Sequence, residues 1–296
     1  VGASLHDANR GVPQAQTGYY PGVGGRLWWK SIDPETDAVP LILLHGGPGS
    51  PSDYLESLDV LGDERRVVVY DQLGCGRSDT PDAESLWRVE TFVDALESLA
   101  SDSGLETFHL FGHSWGGMLA LAFYDKWPER VKSLVLASPL VSVQAWCADA
   151  ARLIAELPPE HQAALAGSAD TVEYQAALQE FYRRHFCRLD PWPPSLQRSV
   201  DGLAAAGYET MWGPNEFTQT GNLRGVDLTP IVRSLTIPNL WLCGSDDEAT
   251  PETIRGFSHM NSYGDYVEFA GGTHNVHLEQ PQAFVATLRE FLRATD

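Results

Sequence analysis

Apolar residues come in short unbroken runs along this chain, separated by stretches whose apolar positions recur every three or four residues. LILLH at 41–45, VVVYD at 67–71, FHLFG at 108–112 and LVLAS at 134–138 are near-continuous rather than alternating. Such runs suit strands covered on both faces, as in a parallel sheet. Strands are predicted over 26–32, 40–45, 65–71, 107–113, 131–138, 239–244 and 266–270. Helical periodicity fills the spaces at 52–61, 91–101, 115–127, 251–259 and 281–294. Strands alternating with helices predict an α/β architecture with a mostly parallel, doubly wound sheet.

One stretch breaks this alternation. Residues 140–225 contain no convincing strand, only helical segments at 143–157, 160–166, 172–189 and 195–206 punctuated by prolines. They are read as a helical cap inserted into a core made of residues 1–139 and 226–296. Residues 1 to about 18 are polar and rich in Gly and Ala, and read as a loose arm.

Composition narrows the class. The 296 residues are 43% hydrophobic, enough for a sizeable core, and the net charge is −20. That charge repels nucleic acid and anionic membranes, so neither is an expected partner, and it is at most weak support for a cationic substrate. No run reaches the ~18 apolar residues of a transmembrane helix, and the first residues show no basic flank and apolar stretch of a secretory signal. The four cysteines form no CxxC or Cys/His metal spacing and read as free thiols of a reducing, cytoplasmic setting. The sequence marks no self-association face, so the oligomeric state is left open.

The strongest chemical signal is Gly112-His113-Ser114-Trp115-Gly116-Gly117. It fits G-x-S-x-G between an apolar strand and a helix, the context of the nucleophile elbow of the α/β-hydrolase fold. Small residues must flank the serine because the turn is tight, and the helix N-terminus favours developing negative charge. A second signal, His45-Gly46-Gly47-Pro48-Gly49, follows the strand at 41–44. Its glycines let backbone N–H groups approach an oxyanion. The oxyanion hole is assigned to the N–H of Gly47, with Gly46 as the alternative, together with that of Trp115. Phosphate binding by this loop is disfavoured, because it lacks the Lys-Ser/Thr pair of a P-loop and the G-x-G-x-x-G spacing.

A serine hydroxyl needs a base, and the base an orienting acid. In this fold the chain order is Ser, acid, His. Asp246, Asp247 and Glu248 follow the strand at 239–244 and compete for the acid. His274 follows the glycine turn Gly271-Gly272 and is preferred over its near rival His277. An aspartate-nucleophile dehalogenase or epoxide hydrolase is disfavoured, because the elbow holds serine. Trp115, Trp146, Trp192 and Trp212 are candidate walls of an apolar pocket, Trp115 foremost. Cys75 lies in the turn after the strand at 65–71 and reads as either a sensitive thiol or a packed, inert one.

With these motifs in place the sequence resembles the proline iminopeptidases (prolyl aminopeptidases), together with the tricorn-interacting aminopeptidases. The resemblance spans nearly the whole chain. It is carried by HGGPG at 45–49, DQLGCGRS at 71–78, GHSWGG at 112–117, WGPNEF at 212–217, GSDDEATP at 244–251 and GGTHNVHLEQP at 271–281. It implies the α/β-hydrolase fold with a cap and a triad of Ser114, Asp247 and His274. It further implies Glu216 and Glu248 as anchors of a substrate's free N-terminal ammonium. The expected activity is release of an N-terminal residue, proline or another small or apolar one, from short peptides, with no cofactor or metal. An amidase, esterase or natural-product-tailoring hydrolase acting on a free-amine substrate would use the same anchor. A non-catalytic binding protein on this fold is the remaining alternative.

Overall fold

The computed structural model describes residues 12–81 and 83–296. Eight strands form one sheet: β1 (Gln16–Gly22), β2 (Gly25–Ile32), β3 (Leu41–Leu44), β4 (Val67–Tyr70), β5 (Phe108–His113), β6 (Val131–Ala137), β7 (Asn239–Gly244) and β8 (Gly264–Phe269). Their order is β1-β2-β4-β3-β5-β6-β7-β8. β2 pairs antiparallel with both β1 and β4, and all pairings from β4 to β8 are parallel.

The unbroken apolar runs follow from this arrangement. Successive side chains of a strand point to opposite faces, and here each face has its own core. Ile42, Leu44, Val68, Tyr70 and Leu110 belong to one cluster. Leu41, Leu43, Val67, Val69 and Phe111 belong to the other. The first face is covered by α1 (Val89–Asp102), α2 (Trp115–Lys126) and α9 (Pro251–Ser258). The second is covered by the 3-10 segment Ser52–Asp63 and α11 (Pro281–Thr295). Each fully buried leucine contributes about 1.5–3 kcal/mol relative to exposure. Truncating Leu110, which is wholly buried, to alanine would therefore cost about 2–5 kcal/mol.

Between β6 and β7 the chain leaves the sheet and runs through α3 (Val143–Ala155), α4 (Pro159–Leu165), α5 (Val172–His185), α6 (Pro194–Asp201), α7 (Ala205–Met211) and α8 (Thr229–Ser234). Local chemistry starts these helices where expected. The Ser142 and Thr171 side chains cap α3 and α5, accepting from the N–H groups of Ala145 and Tyr174. Prolines open α4 and α6. Leu153, Leu157, Leu165, Tyr174, Ala177 and Phe181 form a small core within this insert. α6 packs on the 52–63 segment, where Ser199 Oγ accepts from the Tyr54 N–H at 3.0 Å and donates to the Pro51 carbonyl at 2.8 Å.

Several boundaries differ from the sequence reading. Residues 1–11 of the expected arm lie outside the described residues. Its last part is not loose, since β1 begins at Gln16. The helix expected over 52–61 is a 3-10 segment extending to Asp63. The single helix expected over 195–206 is two, α6 and α7, separated at Gly202.

Candidate active site

Ser114 stands at the turn from β5 into α2 with φ of +56°, a conformation uncommon for a residue with a side chain. Glycine neighbours make the turn possible. A Cβ on Gly112 would strike the Gly116 carbonyl, and one on Gly116 would strike the Leu44 carbonyl. Ser114 is the N-cap of α2, yet its side chain makes no capping bond. Among the described residues the hydroxyl has no hydrogen-bond partner, and Ser114 lines a cavity of about 450 Å³.

His274, in the loop after β8, lies on the same cavity and is 2% exposed. Its Nδ1 is 2.9 Å from Asp247 Oδ1. Among the three adjacent acids the structure thus pairs Asp247 with the histidine. Asp246 instead forms an exposed ion pair with Arg188. Asp247 is held from every side. Its Oδ1 also accepts from the Ala249 N–H at 2.8 Å, and its Oδ2 accepts from the Ser138 hydroxyl at 2.5 Å and the Gly244 N–H at 3.3 Å. The rival His277 faces elsewhere, its Nε2 on the Tyr54 carbonyl at 3.2 Å, with burial pushing its pKa down to about 3. Among the described residues no hydrogen bond joins the Ser114 hydroxyl to His274. His274 Nε2 lies 3.6 Å from Glu248 Oε1. Catalytic hydrogen bonds commonly tighten only once substrate is bound.

The two backbone donors of interest are unequal to expectation. The Gly46 N–H donates to the Tyr54 hydroxyl at 2.8 Å. This removes Gly46 from the candidate oxyanion donors, because a buried N–H already paired is not available to substrate. Gly47 lines the cavity with φ of +118°, which favours glycine. The Trp115 side chain is not a pocket wall. It is wholly buried beneath the elbow, edge-on to Phe92, with its indole N–H donating to Gln72 Oε1 at 2.8 Å. Helical side chains lean back toward the N-terminus and into the core here, so only the Trp115 main chain stays beside Ser114. Trp146, Trp192 and Trp212, all from the insert, do line the cavity.

Four supporting residues were given no role from the sequence, although Gln72 and His113 lie within motifs quoted there. Gln72 donates its side-chain N–H to the His45 carbonyl at 2.9 Å while accepting from Trp115, so it ties the glycine loop to the elbow. Ser138, with φ of +48°, aims its hydroxyl at Asp247. Tyr54 and His113 form a directional chain. Burial pushes the His113 pKa well below its usual value, so the ring is neutral. Its Nε2–H donates to the His274 carbonyl at 2.9 Å, which leaves Nδ1 to accept from the Tyr54 hydroxyl at 2.9 Å. Each of these contacts joins residues far apart in sequence, which periodicity cannot show. Cys75 is buried, donates to the Gln72 carbonyl at 3.2 Å, and is pushed well above the usual thiol range by desolvation. It is a packed thiol.

Glu216 and Glu248 both line the cavity. The Tyr208 hydroxyl donates to Glu216 Oε2 at 3.3 Å, and the Trp212 indole N–H holds the Glu216 carbonyl at 3.1 Å. The Glu248 side chain is 6% exposed. Removal from water raises the pKa of both carboxyls, that of Glu248 well above the usual range, with His274 opposing the shift in each. One carbonyl of the insert, that of His185, accepts from the N–H groups of both Glu248 and His274, at 3.3 and 3.0 Å.

This elbow, sheet order and helical insert define an α/β hydrolase, and residues 39–281 match the sequence model of the alpha/beta hydrolase fold family. The chain is 36% identical over 283 residues to the proline iminopeptidase of Heyndrickxia coagulans, covering 94% of this chain and 98% of that protein. The crystal structure of the proline iminopeptidase of Mycobacterium smegmatis superposes with a TM-score of 0.89 at 36% identity, covering 95% of this chain and 98% of that one. The crystal structure of VinJ is as similar, with a TM-score of 0.90 at 35% identity over 95% of this chain and 99% of that one. The chain belongs to the proline iminopeptidase family of α/β hydrolases.

Proposed function

We propose that the protein is a serine aminopeptidase. It releases an N-terminal residue, proline or another small or apolar one, from short peptides through an acyl-enzyme. The observation that carries this reading is the convergence on one cavity of a free elbow hydroxyl, an aspartate-paired imidazole and two carboxylates removed from water. Ser114 Oγ attacks the scissile carbonyl while His274 Nε2 takes its proton. Asp247 keeps the imidazole in the tautomer with Nδ1–H and stabilises its charged form. The N–H groups of Gly47 and Trp115 receive the oxyanion, each worth about 3 kcal/mol in the transition state. His274 then protonates the leaving amine, and water hydrolyses the ester. Residues 140–225 act as a cap over this machinery. Their Glu216, with Glu248 from the core, holds the substrate ammonium. Charge-assisted hydrogen bonds of this kind contribute about 1.5–3 kcal/mol each.

The identity to proline iminopeptidases along nearly the whole chain supports this reading. A panel of proline, alanine and phenylalanine arylamides, beside their N-acetylated forms and simple amino amides, tests it. Free-amine arylamides should be cleaved and acetylated ones spared. Brisk cleavage of the acetylated forms would identify a general esterase or amidase instead.

A further inference from the structure

The charges around His274 do not cancel. Asp247 and Glu248, from the loop after β7, and Glu216, from the loop after α7, all raise its proton affinity. Among the described residues lining the cavity there is no lysine or arginine. The histidines and phenols that face the ring are neutral. From β5, His113 is pushed well below its usual range, and from α10 (Val276–Glu279), His277 is pushed down to about 3, both by burial. The phenols of Tyr54, of Tyr182 on α5 and of Tyr208 on α7 are raised, first by burial. Trp146 of α3 and Phe186 after α5, which flank the ring, carry no charge. Among the described residues of the cavity, the imidazole is therefore the group able to supply positive charge beside these carboxylates. Desolvation opposes the imidazolium, but Glu248 and Asp247 outweigh it and lift the pKa to about 9. The nitrogen that must accept the serine proton, Nε2, is the one 3.6 Å from Glu248.

We propose that the empty site keeps a proton between His274 and Glu248, and that the substrate's ammonium, seated against Glu248 and Glu216, expels it and so turns His274 into a base. The inference rests on the amine-anchor reading of the proposed function. The exchange balances in charge: one ammonium enters, one proton leaves to solvent, and no bond of the substrate breaks. Nε2 is then free to receive the Ser114 proton in the acylation step. Selection for a free amine thereby acts on the chemical step and not only on binding. A blocked substrate meets an imidazole that is already protonated.

Calorimetric titration of the wild-type chain with L-prolinol, an amine without a scissile bond, tests this at pH 7 in phosphate and in Tris. The two buffers differ in ionisation enthalpy, so the heat difference counts protons. Release of about one proton per bound ligand is expected. Binding heat that is independent of buffer would overturn the proton exchange while leaving the amine anchor standing. Absence of binding would sink the anchor and the exchange together. A second measurement does not need the ligand. Glu248→Gln should hydrolyse p-nitrophenyl acetate at pH 7 faster than wild type, on the order of ten-fold, because the imidazole loses a neighbour that keeps it protonated. The acid limb of its pH–rate profile should move below that of wild type. An unchanged limb together with slower ester hydrolysis contradicts the proposal.

Discussion

The indole N–H of Trp115 donates to the side-chain carbonyl of Gln72, and the same amide donates onward to the carbonyl of His45. One buried side chain thus spans the two segments that carry the proposed oxyanion donors. Replacing Gln72 by leucine leaves the indole N–H and the His45 carbonyl unpaired, and each buried orphan costs about 1–3 kcal/mol. The expected signature is a kcat lower by one to two orders of magnitude with KM nearly unchanged, because the donors act only on the transition state. Pairing Gln72→Leu with Trp115→Phe removes one orphan and should recover part of the folding stability. Steady-state kinetics beside urea denaturation separate the two effects, and a loss confined to KM would contradict the bracing role.

Ser114→Ala tests the nucleophile. Turnover of a free-amine arylamide should fall by a factor on the order of 10⁶, and labelling by a fluorophosphonate probe should vanish. A variant that keeps a tenth of the activity would mean that another group carries the reaction.

Ser138 aims its hydroxyl at the carboxylate that orients His274. Ser138→Ala should remove about 1.5–3 kcal/mol of charge-assisted hydrogen bonding to Asp247. It should also reduce kcat more than it raises KM. Ser138→Thr, which restores a hydroxyl, should rescue part of the rate unless its methyl group clashes in the left-handed backbone there. Melting temperature measured beside kcat distinguishes a loosened triad from a loosened fold.

Glu216→Gln keeps the hydrogen bond from Tyr208 but loses the charge. Cleavage of free-amine substrates should drop at least ten-fold in kcat/KM, while a simple ester should be much less affected. Equal losses on both would refute the anchor.

Stability should peak near neutral pH. His277 and His109 are held neutral in the fold, with pKa values of about 3 and about 4, mainly by burial. In the unfolded chain they titrate near 6.5. Their contribution is therefore present above pH 6.5 and is lost as the pH falls toward those folded values. His274, raised to about 9, has the opposite sign. Its contribution is complete below pH 6.5 and is lost as the pH rises through about 9. Thermal unfolding from pH 4 to 10 should show both limbs. A His277→Asn variant should have an acid limb shallower by one proton per chain.

The chemistry was more legible than the walls around it. Strand β5 and the elbow could be read because FHLFG and GHSWGG state their own local geometry, apolar run, tight turn and helix start. The core strands β3 and β4 were legible because burial on both faces leaves no polar position to confuse the pattern. β1 was missed because it is an edge strand, half exposed and interrupted by Pro21, so its residues carry neither an apolar run nor strict alternation. The orientation of Trp115 and the occupation of the Gly46 N–H were beyond sequence. Both depend on partners, Gln72 and Tyr54, whose approach is set by packing of distant segments.

The carbonyl of His185 acts as a common tether. Because it grips the main chain of His274 and of Glu248, the proposed base and amine anchor, at once, the spacing from ammonium to scissile bond would be set by a ruler independent of the side chains around it. Mutations across the helical insert can therefore recast which residue or leaving group fits while the measured reach of the enzyme stays the same.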